Sequence, residues 1–221
     1  MNTVAADRKE ILRYLGYKHG AVPDEEVSAR IDACEKALSL VIEPRNVQKI
    51  LPLEIEESLL RIGPAEVTSE VLAKHLAGCS RVMLFAATLG IGPDRLIQRA
   101  QVTRISDAVL YQAISAAMIE AYCNELDCAF AASVEAEGGS TRSRFSPGYG
   151  DLPLDFQKDV FRILDTPKAI GLTLTDALLM MPSKSVTAII GIGDQPADKE
   201  DRKEHKCETC PMTDCPYRDA D

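Results

Sequence analysis

The sequence has no tryptophan, and only 5% of its 221 residues are aromatic. Its core must therefore be built from Leu, Ile, Val, Ala and Met. No apolar run is long enough to cross a bilayer, which excludes a helical membrane span. Met1-Asn2-Thr3-Val4-Ala5-Ala6-Asp7 lacks the basic start and apolar centre of a secretory signal. There is no dense basic run, and the formal net charge is −9. That balance speaks against nucleic acid as a partner. The expectation is a cytoplasmic protein with no membrane partner. In that compartment its seven cysteines are read as thiols or metal ligands rather than disulfides. What is present is 46% apolar residues, which excludes wholesale disorder. The length is enough to bury one large core or two small ones.

Local patterns place the elements. Asp7 to Tyr17 reads as a helix, with Ile11, Leu12 and Leu15 at helical spacing. Asp24 is an N-cap before Glu25 and Glu26, and the helix it opens runs to about Leu40. Cys34 falls on that helix's apolar face and is read as a core thiol. Val41 to Gly63 reads as short strands, and Ser69 to Leu76 as a short helix. Arg81 to Ala87 carries a continuous apolar run of strand length and is assigned a central place in the sheet. Thr88-Leu89-Gly90-Ile91-Gly92-Pro93 is a strand-to-helix turn. Its glycine pair could cradle a phosphate, but the spacing is neither a P-loop nor a dinucleotide fingerprint, so turn chemistry is preferred.

Ser106 is expected to cap the longest helix, Asp107 to about Ala132, whose centre is apolar almost all round and so buried on more than one side. Glu120 lies in that centre. A carboxylate there needs a partner or an exit to solvent. It either faces a ligand site or points to solvent from a partly exposed helix. Cys123 and Cys128 are read as packing residues, since their spacing is not a common zinc signature. Leu154 to Leu164 is a helix with Phe156, Val160, Phe161 and Leu164 on one face. Thr173–Met181 and Ser185–Ile192 are expected to form an antiparallel hairpin through Pro182-Ser183-Lys184. The fold class that results is α+β: a mixed or antiparallel sheet packed with helices, one of them long and buried.

One stretch stands apart from this scaffold: Arg142-Ser143-Arg144-Phe145-Ser146-Pro147-Gly148-Tyr149-Gly150-Asp151. An arginine fork can hold a carboxylate through two parallel hydrogen bonds. Pro147-Gly148 is a strong turn signal. Gly148 and Gly150 let the backbone come close to a ligand. Tyr149 offers a flat ring and a hydroxyl. An ordinary surface turn with a solvated arginine would show the same residue types.

The six residues from Arg144 to Tyr149 resemble the Arg-x-x-x-Gly-Tyr signature of the activation domain of cobalamin-dependent methionine synthase. The resemblance continues through Leu172-Thr173-Leu174-Thr175-Asp176 and Pro182-Ser183-Lys184-Ser185-Val186. It is strong over roughly residues 105–192. It implies a domain that binds S-adenosylmethionine and supports reductive remethylation of oxidised cobalamin. Arg144 would grip the ligand's carboxylate, the backbone of Ser146, Pro147 and Gly148 would meet its adenine, and Tyr149 would close the turn. Glu120 falls near a glutamate on the corresponding helix of the family. The family's tandem tyrosine after this region is replaced here by Gly193-Asp194-Gln195. Because 221 residues hold no cobalamin-binding module beside this one, the expectation is a module of a methyltransferase rather than a complete enzyme. The resemblance implies cobalamin on a partner methyltransferase or corrinoid protein. It also implies an external electron donor such as flavodoxin or ferredoxin.

Residues 1–193 are thus assigned to one activation-like domain, with a helical portion over about 1–45. Residues 194–204 are charged and read as a linker. The tail, 205–221, lies outside the resemblance. Cys207 and Cys210 form a Cys-x-x-Cys pair, a familiar way to aim two sulfurs at one metal. With Cys215 and His205 they could complete a tetrahedral zinc site. Three thiolates and a borrowed ligand could hold an iron–sulfur cluster, and Cys207 with Cys210 could be a redox pair. Metal binding of some kind is favoured. The leading functional reading is a reactivation partner. The alternatives are a metal or redox accessory protein acting through the tail, and a corrinoid-protein chaperone without a nucleotide ligand.

Overall fold

The computed structural model describes residues 4–18 and 20–195. The expected tail, with His205, Cys207, Cys210 and Cys215, and nearly all of the expected linker lie outside the described residues. Within those described, the chain divides into two compact units. The first takes the chain up to Ile42 together with Gly92–Tyr122. The second takes Glu43–Ile91 and the chain from Cys123 on. No helix among the described residues is long and apolar enough to cross a membrane.

The first unit is helical. Helix α1 (Arg8–Tyr14) is capped by Asp7, whose side chain accepts from the Lys9 amide. It ends earlier than Tyr17 because Gly16 turns into the left-handed region at φ +83°. Helix α2 (Glu25–Ser39) is capped by Asp24 as its sequence predicts, and buries Ile31, Cys34 and Leu38. It packs against α4 (Gly92–Thr103). Helix α5 (Ile105–Ala136) follows after a break at Arg104. Ser106 therefore lies inside the first turn of α5 and does not cap it. Its hydroxyl instead accepts from Arg30, which also pairs with Asp107. In the centre of α5 the residues Ala113, Ile114, Ser115, Ala117, Met118, Ile119 and Tyr122 are all buried. Ser115 satisfies its hydroxyl by donating back to the Tyr111 carbonyl, the usual solution for a buried helical serine.

The second unit is a sheet with helices against it. Strand β1 (Arg45–Glu56) is followed by β2 (Leu59–Ile62), β3 (Ala65–Thr68), helix α3 (Glu70–His75) and β4 (Cys79–Thr88). Then, after α5, come β5 (Ser140–Thr141), a single 3-10 turn at Leu154–Phe156, α6 (Gln157–Leu164) and α7 (Thr166–Ile170). The short strands β6 (Thr173–Leu174) and β7 (Met180–Met181) precede β8 (Ser185–Gly193). The main sheet runs β3-β2-β1-β4-β8-β5, and every pairing in it is antiparallel. The long strand β1 pairs with β4 up to Pro52 and with β2 from Leu53. Proline has no N–H to give a ladder, and Pro52 sits where the strand changes partner.

The continuous apolar run of β4 is central, with β1 on one side and β8 on the other. Its last seven residues are all buried. Leu53, Leu60, Leu72, Leu84, Phe156 and Val160 are among the side chains of the core between sheet and helices. Burying one such side chain stabilises the fold by about 1.5–3 kcal/mol, most of it offset by the entropy of ordering the chain. Val160, Phe161 and Leu164 form the inward face of α6 as their spacing predicts, and Phe156 is buried in the 3-10 turn just before it. Asp165 ends α6 in the left-handed conformation at φ 48°, which aspartate tolerates better than most residues.

The expected hairpin between Thr173–Met181 and Ser185–Ile192 does not form. Thr175 N–H donates to the Leu179 carbonyl at 2.9 Å, and Leu178 takes φ 61°. The segment thus folds back on itself, and Thr173–Leu174 pair with Met180–Met181 in a separate two-stranded sheet. β8, buried almost throughout, is then a second central strand between β4 and β5.

Candidate functional site

The stretch 142–151 leaves the sheet edge through an irregularity in its pairing. Thr141 lies opposite Ile192, and Arg142 N–H donates to the Gly191 carbonyl at 2.9 Å. Phe145 then bridges Ile189 through hydrogen bonds in both directions. Ser143 and Arg144 together oppose Ile190, one residue more than a regular ladder allows. Such a bulge bends the strand and re-aims a side chain.

The side chain re-aimed is Arg144. Its Nε lies 2.7 Å from Asp127 Oδ2, and its Nη2 donates to Asn124 Oδ1 at 2.6 Å. Asn124 and Asp127 are three apart on α5 and so share a face. The Arg144 side chain is 19% exposed. Its pairing is less screened than that of a surface pair, yet the group still reaches solvent. A cavity of about 210 Å³ lies alongside, lined by Asp127, Cys128, Phe130, Arg142, Ser143 and Ile190 among others.

Beyond Phe145 the chain closes on itself. Tyr149 N–H donates to the Ser146 carbonyl at 3.2 Å, Leu152 N–H to Tyr149 at 3.0 Å, and Gly148 N–H to Leu152 at 2.9 Å. Gly148 stands at φ +91°, where any side chain is strained, and a Cβ there would press on Leu154 at 3.3 Å. Pro147 is buried beneath the turn. The ring of Tyr149 stands out of it, 69% exposed, an unusual setting for an aromatic residue. Arg144, Ser146, Pro147, Gly148 and Tyr149 are therefore brought together on one short loop.

Asp151 closes the stretch. Its carboxylate accepts from the Ser69 hydroxyl, from Glu70 N–H at 2.7 Å and from Val71 N–H at 3.2 Å. The Ser69 bond and these backbone donors hold its carboxyl below the 3.8 of a free aspartate. A lowered carboxyl pKa contributes stability above the unfolded value and loses it as pH falls through the folded one. The contact is thus complete at neutral pH and fails only in strong acid. Between about pH 5 and about pH 3, thermal unfolding of Asp151→Asn is expected to fall less steeply than that of the wild type.

Glu120 lies in the first unit, half-buried on α5. The Tyr14 phenol there is pushed up, first by burial and then by the Glu120 charge. Cys34 and Cys123 are buried, as expected for packing residues, whereas Cys128 is exposed. Five residues along a helix is a rotation of about 140°, so Cys123 and Cys128 do not share a face. Burial raises the thiols of Cys34 and Cys79, which keeps them protonated and unreactive. Among the described residues no group of three His, Cys, Asp or Glu side chains could hold a metal ion.

No curated protein matches the chain by sequence. The model of the family described as vitamin B12 dependent methionine synthase, activation domain, matches residues 68–198, more than half of the chain. The chain belongs to this activation-domain family. Among solved structures it is similar to a crystal structure of the MetH reactivation domain bound to AdoHcy. The TM-score is 0.66 at 19% identity, over 88% of this chain and 75% of that one. At that identity the likeness is one of fold. The activation-domain match takes in the whole loop, the α5 residues Asn124 and Asp127, and helix α3 with Ser69 and His75. Asn124, Asp127, Ser69 and His75 escape a reading from sequence because their partners are distant along the chain. Ser69 was legible only as the start of a short helix. The others gave no local signal.

Proposed function

We propose that this activation-domain protein binds S-adenosylmethionine on the Arg144–Tyr149 loop. It presents the ligand's methyl group to a cobalamin-bearing methyltransferase, methionine synthase, for reductive reactivation. The observation that carries this reading is the loop itself. A bulge turns Arg144 toward α5, a glycine turn at φ +91° follows it, and an exposed tyrosine ring stands out of that turn. The family match supports it, as does the likeness to a reactivation domain bound to AdoHcy.

The residues present fit such a ligand. Arg144 offers a partly shielded guanidinium for a carboxylate. Gly148 supplies the positive φ of an exposed turn, and Tyr149 offers a face for stacking. Asn124 and Asp127 hold the arginine in one orientation. The sulfonium methyl is already activated and the nucleophile is reduced cobalt on the partner, so no general base is required of this chain. Its task is orientation and proximity. The electron comes from an external donor of the flavodoxin or ferredoxin kind.

The test is an anaerobic assay with a methionine synthase that lacks an activation domain of its own and carries oxidised cobalamin, reduced flavodoxin, and S-adenosylmethionine labelled in its methyl group. Label is expected to reach the cobalamin only when this chain is present, and not with Arg144→Ala. Transfer that proceeds equally without the chain contradicts the proposal.

The Cys-x-x-Cys pair at Cys207 and Cys210, with Cys215 and His205 near it in sequence, favours the alternative reading, a metal or redox accessory protein acting through the tail. Metal analysis and a visible spectrum of anaerobically purified protein are expected to show one equivalent of zinc, or the absorption of an iron–sulfur cluster. Metal-free, colourless protein removes the metal reading.

A further inference from the structure

Helix α3 touches the ligand loop at both of the loop's ends. At the helix C-terminus, His75 Nε2 donates to the Ser143 carbonyl at 2.8 Å. The His75 ring also lies tilted against Phe145, with centroids 5.4 Å apart. Just past the helix, the Ala77 carbonyl accepts a long bond from Arg142 at 3.4 Å. At the helix N-terminus, Asp151 gathers the Ser69 hydroxyl and the amides of Glu70 and Val71. Six helical residues span only about 9 Å. The ten residues from Arg142 to Asp151 would reach roughly 30 Å if extended. Pinning both ends to so short a helix leaves only a folded path between them, and the Ser146–Leu152 turn is that path.

We infer that α3 is the splint of this loop, and that Ser69, His75 and Asp151 are positioning residues that hold Arg144 and Tyr149 at the spacing a carboxylate-bearing nucleoside ligand requires. The inference rests on the proposed reading of the loop as the S-adenosylmethionine site. None of the three residues is assigned a contact with the ligand. Two observations separate this arrangement from ordinary helix capping. Ser69 already caps α3, accepting from Leu72 N–H at 3.0 Å. Asp151, 82 positions from Ser69, is thus a second acceptor at the same end, and its distinct effect is to tie down the loop. In addition, Gly150 comes so close to the first turn of α3 that a Cβ on it would stand 3.1 Å from Val71.

The test compares Asp151→Ala with the double variant Asp151→Ala/Val71→Asp. The double variant returns a carboxylate to the first turn of α3 at an exposed position. It restores the charge at the helix N-terminus but not the tie to the loop. Three quantities are measured: the melting temperature, amide exchange at Gly148, Tyr149 and Leu152 in the ligand-free protein, and affinity for S-adenosylmethionine. In both variants the three amides are expected to exchange faster, and affinity is expected to fall about tenfold or more, the effect of losing one charge-assisted anchor. Only the double variant is expected to regain the wild-type melting temperature. At the other end, His75→Ala is expected to loosen the loop while His75→Gln, which keeps a donor, holds it.

Recovery of affinity along with melting temperature in the double variant overturns the inference, because Asp151 would then be a helix cap and nothing more. Unchanged amide exchange in Asp151→Ala also overturns it. The exchange measurement needs no ligand. A wild-type protein that fails to bind S-adenosylmethionine, yet loses loop protection in Asp151→Ala, retains the splint and refutes the ligand assignment.

Discussion

Arg144→Ala is expected to weaken S-adenosylmethionine binding by about two orders of magnitude. A charge-assisted hydrogen bond is worth about 1.5–3 kcal/mol, and an arginine fork makes two such bonds to one carboxylate. The substitution also leaves Asp127 without the guanidinium 2.7 Å away. Some of its effect will therefore appear as lost stability, since a partly buried charge that loses a close guanidinium is destabilised. Arg144→Lys separates the two contributions. Lysine keeps the charge beside Asp127 but cannot offer a planar fork. It is expected to hold the melting temperature near that of the wild type while still losing at least about tenfold in affinity. Calorimetric titration of both variants, alongside thermal unfolding, makes the comparison. Wild-type affinity in Arg144→Ala would remove the arginine from the site.

Gly92→Ala is expected to be the more damaging change to the fold. A Cβ at Gly92 would stand 2.1 Å from the Val41 carbonyl oxygen and 2.8 Å from the carbon that bears it. Both are backbone atoms and cannot rotate aside. Either the chain leading out of α2 or the first turn of α4 must shift. Overpacking commonly costs about 1–3 kcal/mol, with backbone clashes at or above the top of that range. A loss of about 3 kcal/mol lowers the melting temperature of a chain this size by roughly 10 °C. Gly90, its neighbour in the turn, is needed for a different reason. It stands at φ +78°, and Gly90→Ala is strained by about 1 kcal/mol. The phosphate-cradle reading of this glycine pair makes the opposite forecast: Gly92→Ala would fold normally and lose phosphate affinity. Thermal unfolding and a phosphate titration of the same variant decide between them.

The features legible in the sequence were the ones written locally. Asp24 caps the helix that follows, accepting from Val27 N–H three residues on. The run Val82 to Ala87 is buried on both faces because it is apolar on both faces. The inward face of α6 follows directly from the spacing of Val160, Phe161 and Leu164. The Pro147-Gly148 turn was likewise visible, because its conformation is demanded by the two residues that form it.

What could not be read depends on partners distant along the chain. Nothing in β8 states that its neighbours are β4 and β5 rather than the segment just before it. The choice is made by the turn at Thr175–Leu179, which consumes that segment in its own small sheet. The bulge that re-aims Arg144 exists only in the register between β5 and β8. The pairing of Arg144 with Asn124 spans 20 positions, and that of Asp151 with Ser69 spans 82. Asp151 in the sequence is an acidic residue after a glycine turn, and only the fold makes it an anchor.

The loop around Arg144 is proposed to bind S-adenosylmethionine, and calorimetric titration of the purified protein with that ligand tests this most directly. Saturable binding at one site is expected, with a dissociation constant on the order of micromolar, abolished or strongly weakened in Arg144→Ala. A flat titration with protein that unfolds cooperatively, and whose loop amides are protected, would contradict it. The loop would then be folded and ready, and the ligand assigned to it would be wrong.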